Sequence, residues 1–348
     1  MGTLSVPVEY EGMTLKLNQG VLEYLAGINT ALEWEERGFK ATRYKKDERS
    51  KVQQQIIDEV KDRLDFDNSD KLNAFAEESI RIFQALLNKN FDVIHDLFQG
   101  NEIYFITGPP RTGGTYVLKA LLELRNENLK DFNHKLIFDY TPLNTQLGSN
   151  YGTNHTNQVL FEWAQWMVWV GKRFDLENYN FIPKKHIGML YQLDLFDQIF
   201  GEKAHYIVTT RDPAEAYQSY ADRFFTDNPA KNFTADIGLW KHSVLPRTNI
   251  DEERWEDFSF PDQFLLYWCA CYLEILNYGK EEQIHPLVFG KDYERFLKEF
   301  AWEHNLVYSP ETFDPTERDE LPEFSEPCQK MKEKVEVLWE DKFGKALY

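Results

Sequence analysis

The sequence predicts an α/β fold. The expected architecture is a three-layer α/β/α unit with a central parallel sheet of about four or five strands, and a helical N-terminal region packed on it. Three observations carry this. From about 102 to 230, short β-branched and aromatic runs alternate with helical stretches, the order that implies a parallel sheet. The first of these runs, Ile103-Tyr104-Phe105-Ile106-Thr107, enters a loop rich in Gly, Pro and Thr, and a helix follows from Thr115. Before residue 100 the apolar residues fall at helical spacing instead.

In order, the N-terminal region is expected over 1–100, with helices over 17–37, 51–64, 70–87 and 90–98. Ser69 is placed to cap the third of them. The α/β domain is expected over 101–308. Its second strand is read at 135–139. A helix over 157–174 carries Trp163, Trp166 and Trp169 at every third position, a stripe that suits core packing. A strand over 181–186 ends in Lys184, Lys185 and His186, and a helix over 190–200 comes next. The most strongly β-forming run, 204–210, leads into Arg211. There Asp212 is placed as N-cap and Pro213 as the first helical residue. Residues 226–260 read as a long irregular loop. An aromatic helix over 261–282, a last strand over 286–289 and a helix over 293–304 complete the domain. The tail, 309–348, reads as a Pro-rich linker and a helix over 330–342.

Composition narrows the function. The chain has 348 residues and a net charge of −19, from 39 basic and 58 acidic side chains. Such a balance argues against a nucleic acid or polyanionic glycan as partner, since those need a basic face. An aromatic content of 15 % supplies a core and an apolar pocket. The N-terminus has no basic segment followed by an apolar one, so no signal peptide is expected. No stretch approaches the ~18 apolar residues of a membrane span. Cys269, Cys271 and Cys328 are odd in number and lack metal spacing, which fits a reducing cytoplasm.

The loop after the first strand has nearly the spacing of a nucleotide P-loop, G-x-x-x-x-G-K-[ST], so the fold is expected to be P-loop-like. Gly108 and Gly113 hold the glycine positions and Thr115 the hydroxyl position. Gly114 stands where the lysine belongs, and the loop's one cation is Arg111. A kinase needs that lysine for the β/γ-phosphates and an acid for Mg²⁺. The loop therefore suits a shorter anion than a triphosphate, held by N–H groups at a helix start. Further cations, Lys184-Lys185-His186 and Arg211, fall at other strand C-termini, the edge where ligands bind in open α/β sheets.

At these residues the chain resembles the sulfotransferases that use 3′-phosphoadenosine 5′-phosphosulfate (PAPS). Gly108-Pro109-Pro110-Arg111-Thr112-Gly113-Gly114-Thr115 matches the bacterial form of the family's phosphosulfate loop, with Gly114 in place of a usual Thr. Arg211 with Ser219 eight residues on reproduces the family's second motif. Pro183-Lys184-Lys185-His186 is comparable to its Lys-x-His strand end, and Val288-Phe289-Gly290-Lys291-Asp292-Tyr293 is loosely like its Tyr-Glu-Asp-Leu signature. The likeness spans about 102–300. It lacks the C-terminal Arg-Lys-Gly loop of animal cytosolic members. The resemblance implies cofactor binding by Arg111, Thr112, Gly113, Gly114, Thr115, Tyr116, Arg211 and Ser219. The last two would hold the 3′-phosphate. Catalytic roles fall to His186, Arg111 and Lys184, without a metal.

The chemistry agrees. Sulfuryl transfer is nearly in line between oxygens, so positioning and charge stabilisation dominate. Arg111 and the loop N–H groups would neutralise the departing phosphate, and Thr112 and Thr115 would add hydroxyl donors. His186 is the best placed of the eight histidines as general base, with His155 and Glu162 as the other candidates. The expected acceptor is a small or medium alcohol or phenol. The competing readings are a nucleotide or small-molecule kinase and a non-catalytic nucleotide-binding protein of the same fold.

Overall fold

A computed structural model describes residues 4–28, 46–138, 153–224, 240–308 and 321–348. Its early elements are β1 (Val6–Tyr10), β2 (Met13–Leu17), α1 (Gln19–Leu25), α2 (Lys46–Arg63), α3 (Asp70–Leu87) and α4 (Asp92–Phe98). Next come β3 (Glu102–Thr107), α5 (Gly114–Leu124), α6 (His134–Ile137), α7 (Thr153–Arg173), β4 (Phe181–Lys185), α8 (Leu193–Phe200) and β5 (Ala204–Thr210). The remainder are α9 (Pro213–Phe224), α10 (Glu252–Asp257), α11 (Phe260–Asn277), β6 (Ile284–Val288), α12 (Tyr293–Glu303) and α13 (Glu326–Phe343).

Four strands in the order β4-β3-β5-β6 form one parallel sheet flanked by helices, as the α/β class requires. β5 and β6 pair from Tyr206 opposite Ile284 to Thr210 opposite Val288. The chain divides into two compact units. One comprises Met1–Ile103, Arg125–Lys184 and Leu195–Ala204; the other comprises Tyr104–Leu124, Lys185–Asp194 and His205–Tyr348.

The first unit departs from the sequence reading in two places. The helix expected over 17–37 is α1 alone, residues 29–37 lie outside the described ones, and 13–17 is a strand. β1 and β2 form an antiparallel hairpin closed by Tyr10 opposite Met13. Its turn residues Glu11 and Gly12 both have positive φ, 46° and 76°, the conformation that matches strand twist. Alternation puts Leu15 and Leu17 inward, and this period of two was the overlooked signal. Helix α7 completes the hairpin's edge. Gln158 accepts the Lys16 N–H (2.9 Å) and donates to the Lys16 carbonyl (3.0 Å), and Gln165 accepts the Asn18 N–H (2.8 Å).

The second departure is at 135–139. Residues 134–137 are helical, and Asp139 lies outside the described ones. Asn133 decides this by accepting the Lys135 N–H on its side chain (2.9 Å) and the Leu136 and Ile137 N–H groups on its carbonyl (3.1 Å each). The Lys135 ammonium then pairs with buried Glu23. The tryptophan stripe is core as expected, with Trp163, Trp166 and Trp169 at most 1 % exposed. Trp163 meets Phe196 edge to face at 4.4 Å.

In the second unit, residues expected as an irregular loop include a helical turn at 240–244 and α10. Trp240 and Trp255 are buried there, and 225–239 lie outside the described residues. The C-terminal helix α13 begins at Glu326, earlier than expected, with a proline in its first turn. It buries Cys328, Val335 and Trp339. Trp339 meets Tyr272 of α11 at 5.3 Å, and Lys342 donates to the Leu276 and Tyr278 carbonyls (2.9 and 2.5 Å). The three cysteines are free and buried. No helix among the described residues is long and apolar enough to cross a membrane.

Candidate functional site

The site is built on the end of β3. Residues 108–113 turn the chain from β3 into α5, and three of them have positive φ: Gly108 (131°), Arg111 (70°) and Gly113 (94°). Gly108 needs both its conformation and its small size. A Cβ there would sit 2.5 Å from the Thr209 carbonyl of β5. Arg111 has no such excuse. A non-glycine residue in the left-handed region costs roughly 1–2 kcal/mol and is found where surrounding contacts impose it.

Those contacts are present. The Thr112 hydroxyl donates to the Pro109 carbonyl (2.7 Å) and lies 2.7 Å from the Thr209 hydroxyl. Tyr293, at the start of α12, donates to the Thr112 carbonyl (2.7 Å) and stacks on Tyr116 with centroids 5.6 Å apart. Thr112 is 2 % exposed and its hydroxyl braces the loop from inside. Thr115 is exposed. The hydroxyl expected from both threonines is thus presented outward by Thr115. In α5 the Tyr116 N–H bonds the Gly113 carbonyl (2.9 Å). The N–H groups of Gly114 and Thr115 precede it and have no intrahelical acceptor, as at any helix start.

Arg211 follows β5, and the Asp212 carboxylate caps α9 by accepting the Ala214 and Glu215 N–H groups (2.8 and 3.1 Å). The Arg211 guanidinium lies 4.0 Å from the Phe289 ring centroid. Its Nε donates to Glu215 (3.0 Å) and its NH1 to the Arg111 carbonyl (3.3 Å). Trp268 Nε1 donates to the Arg211 carbonyl (3.2 Å) and pins the backbone there. On the next turns of α9, buried Ser219 accepts a hydrogen bond from Arg111 Nε (3.0 Å). The two motifs, about a hundred residues apart, therefore meet through Arg111, Arg211 and Ser219. Through Nε, Arg111 reaches toward α9.

His186 continues β4 by one residue. Its N–H donates to the Ile106 carbonyl (2.9 Å), and Thr107 Oγ1 donates to the Ile187 carbonyl (3.3 Å). The imidazole is fully buried. A short 3₁₀ turn, Ile187–Tyr191, follows, so the helix expected from 190 begins at Leu193.

His186, Arg111, Thr112, Gly113, Gly114, Thr115, Tyr116, Arg211 and Ser219 all belong to the second unit. Lys184, His155 and Glu162 belong to the first. Lys184 is fully buried and its ammonium donates to the Leu136 and Phe138 carbonyls (2.6 and 3.0 Å). Glu162 is buried beside Gln158, which donates to it at 2.9 Å, and burial pushes its carboxyl up to about 8. Burial therefore favours its protonated form. His155 lies in α7.

Sequence reasoning missed Glu215, Phe289, Tyr293 and Thr209 as parts of the site. The weak similarity at 288–293 was the available signal for Phe289 and Tyr293. Among the described residues no group of three or more His, Cys, Asp or Glu side chains could hold a metal ion. No family model, curated protein or solved structure matches the chain.

Proposed function

We propose that the second unit is a P-loop-like, PAPS-dependent sulfotransferase acting on a small or medium alcohol or phenol. The supporting observation is the hydrogen bond from Arg111 to Ser219 beside Arg211, which unites the loop motif with the Arg–Ser motif. In this reading the N–H groups of Gly113, Gly114 and Thr115 face the 5′-phosphosulfate, and Arg211 and Ser219 face the 3′-phosphate. Tyr116 and Phe289 supply aromatic surface. The acceptor oxygen forms a bond to sulfur as the sulfur–oxygen bond to the phosphate breaks. The acceptor's proton goes to His186, and the leaving group is adenosine 3′,5′-bisphosphate. The free cysteines accord with a cytoplasmic setting.

The test is calorimetric titration in EDTA. Adenosine 3′,5′-bisphosphate should bind, and adenosine 5′-monophosphate should bind more weakly because it lacks the group that Arg211 would hold. A requirement for ATP with Mg²⁺ would instead favour the kinase reading. Once an acceptor is found, His186→Ala should lower kcat by roughly 10²–10⁴ with bisphosphate affinity retained. Normal turnover in that variant removes His186 as the base.

A further inference from the structure

Gly114 occupies the lysine position of the P-loop spacing, and its backbone does not require glycine, because its φ is outside the left-handed region. Its neighbours are two side chains. A Cβ on Gly114 would lie 3.4 Å from Lys185 Cε, 3.7 Å from Lys185 Cδ and 3.3 Å from Ile106 Cγ2. The stem of Lys185 therefore lies against the place where a side chain at 114 would begin. Its Cε lies beside Gly114, the first residue of α5.

Neither of the cations given a catalytic role from the sequence, Lys184 and Arg111, has this placement. Successive strand residues point to opposite faces. Lys184 takes the other face of β4 from Lys185 and is bound by two backbone carbonyls. Arg111 is directed to Ser219. Lys185 is the last residue of β4, in the same unit as the loop, and is half-buried.

We infer that Lys185 supplies, from the neighbouring strand, the positive charge that a P-loop takes from its own lysine. It binds an oxygen of a phosphate or phosphosulfate whose other oxygens face the N–H groups of Gly114 and Thr115. The ligand class is a linked pair of anionic groups, as in a diphosphate or a phosphosulfate. This extends the proposed function and shares with it only the premise that the loop holds an anion. Glycine at 114 and lysine at 185 are then one device, the cation having moved from loop to strand.

Moving the lysine back tests it. The full chain, in EDTA, is titrated with inorganic pyrophosphate and with adenosine 3′,5′-bisphosphate. Lys185→Met keeps the stem and removes the charge. It should weaken both ligands by roughly 10- to 100-fold with an unchanged melting temperature. The double variant Gly114→Lys/Lys185→Met should regain most of that loss. Lys185→Arg should retain binding, which covers the case of a double variant that does not fold. Wild-type affinity in Lys185→Met overturns the inference. So does a folded double variant as weak as Lys185→Met. Wild-type protein that binds pyrophosphate but not the bisphosphate defeats the sulfotransferase reading and leaves Lys185 fully tested. Binding of neither ligand defeats both.

Discussion

Two buried arginines, one in each unit, are held in different ways. Arg125, 1 % exposed, donates from Nε to Glu127 (2.8 Å), from NH1 to the Phe181 carbonyl and from NH2 to the Asp175 carbonyl (2.9 Å). Its guanidinium carbon also lies 4.9 Å from the Phe174 ring centroid and 4.6 Å from that of Tyr179. Burial lowers its pKa, and Glu127 works against that. Every nitrogen has a fixed acceptor, and two of these are backbone. Arg211, 5 % exposed, is held by an aromatic face, by one carbonyl at 3.3 Å and by the half-exposed Glu215. Among the described residues its NH2 has no hydrogen-bond acceptor. Burial alone therefore does not separate a structural cation from one proposed to face a ligand. The nature of its acceptors does. Backbone carbonyls cannot leave, whereas a carboxylate on a half-exposed side chain can rotate into water and yield to a phosphate.

The comparison can be broken at four points. The largest effect is expected from Arg125→Ala, which strands two carbonyls and Glu127. It should destabilise the fold by ~3–5 kcal/mol, read by denaturant titration. A loss below about 1 kcal/mol would remove Arg125 as a structural anchor. Arg211→Ala should leave the melting temperature nearly unchanged and weaken the bisphosphate by ~1.5–3 kcal/mol. The reverse pattern, lost stability with full affinity, would make the two arginines alike.

Glu162 offers a pH test of buried charge in the first unit. Below about 4.5 the carboxyl is protonated in the folded and unfolded chain alike. From there to about 8 the unfolded chain releases the proton and the folded one keeps it, so stability falls as pH rises. Glu162→Gln imitates the protonated acid. Its stability relative to wild type should therefore grow between pH 5 and pH 8, by an amount on the order of a few kcal/mol at most. A constant difference across that range would mean the carboxyl ionises normally. The smallest effect belongs to Glu215→Gln. Surface ion pairs are worth about 0–1 kcal/mol, so releasing Arg211 should tighten the bisphosphate by roughly two- to fivefold. Weaker binding would show that Glu215 positions Arg211 instead of competing for it.

The site's frame was legible because its signals are local. The run Ile103–Thr107, the Gly- and Pro-punctuated loop and the amphipathic stretch after it need only near neighbours to be read. The same holds for Asp212-Pro213 at the start of α9, where the cap acts two and three residues away. The hairpin β1/β2 was missed because its five-residue strands adjoin a stretch with helical spacing. The strand expected at 135–139 was lost to Asn133, whose cap overrides the β-preference of Leu136, Ile137 and Phe138.

By itself, then, the sequence determined the α/β class, the strand–loop–helix around Gly108 and Gly113, and the presence of Arg211 and Ser219 at helical spacing. Periodicity, caps and glycine conformations are properties of short segments, and they act whatever lies across the fold. Only the tertiary structure decided that Arg111 turns to Ser219, that Tyr293 holds Thr112, and that Lys185 rather than Lys184 lies over Gly114. These depend on the strand order β4-β3-β5-β6 and on which face of β4 meets the loop. Two adjacent lysines read alike along the chain, yet they point to opposite faces of a strand, and strand pairing selects between them.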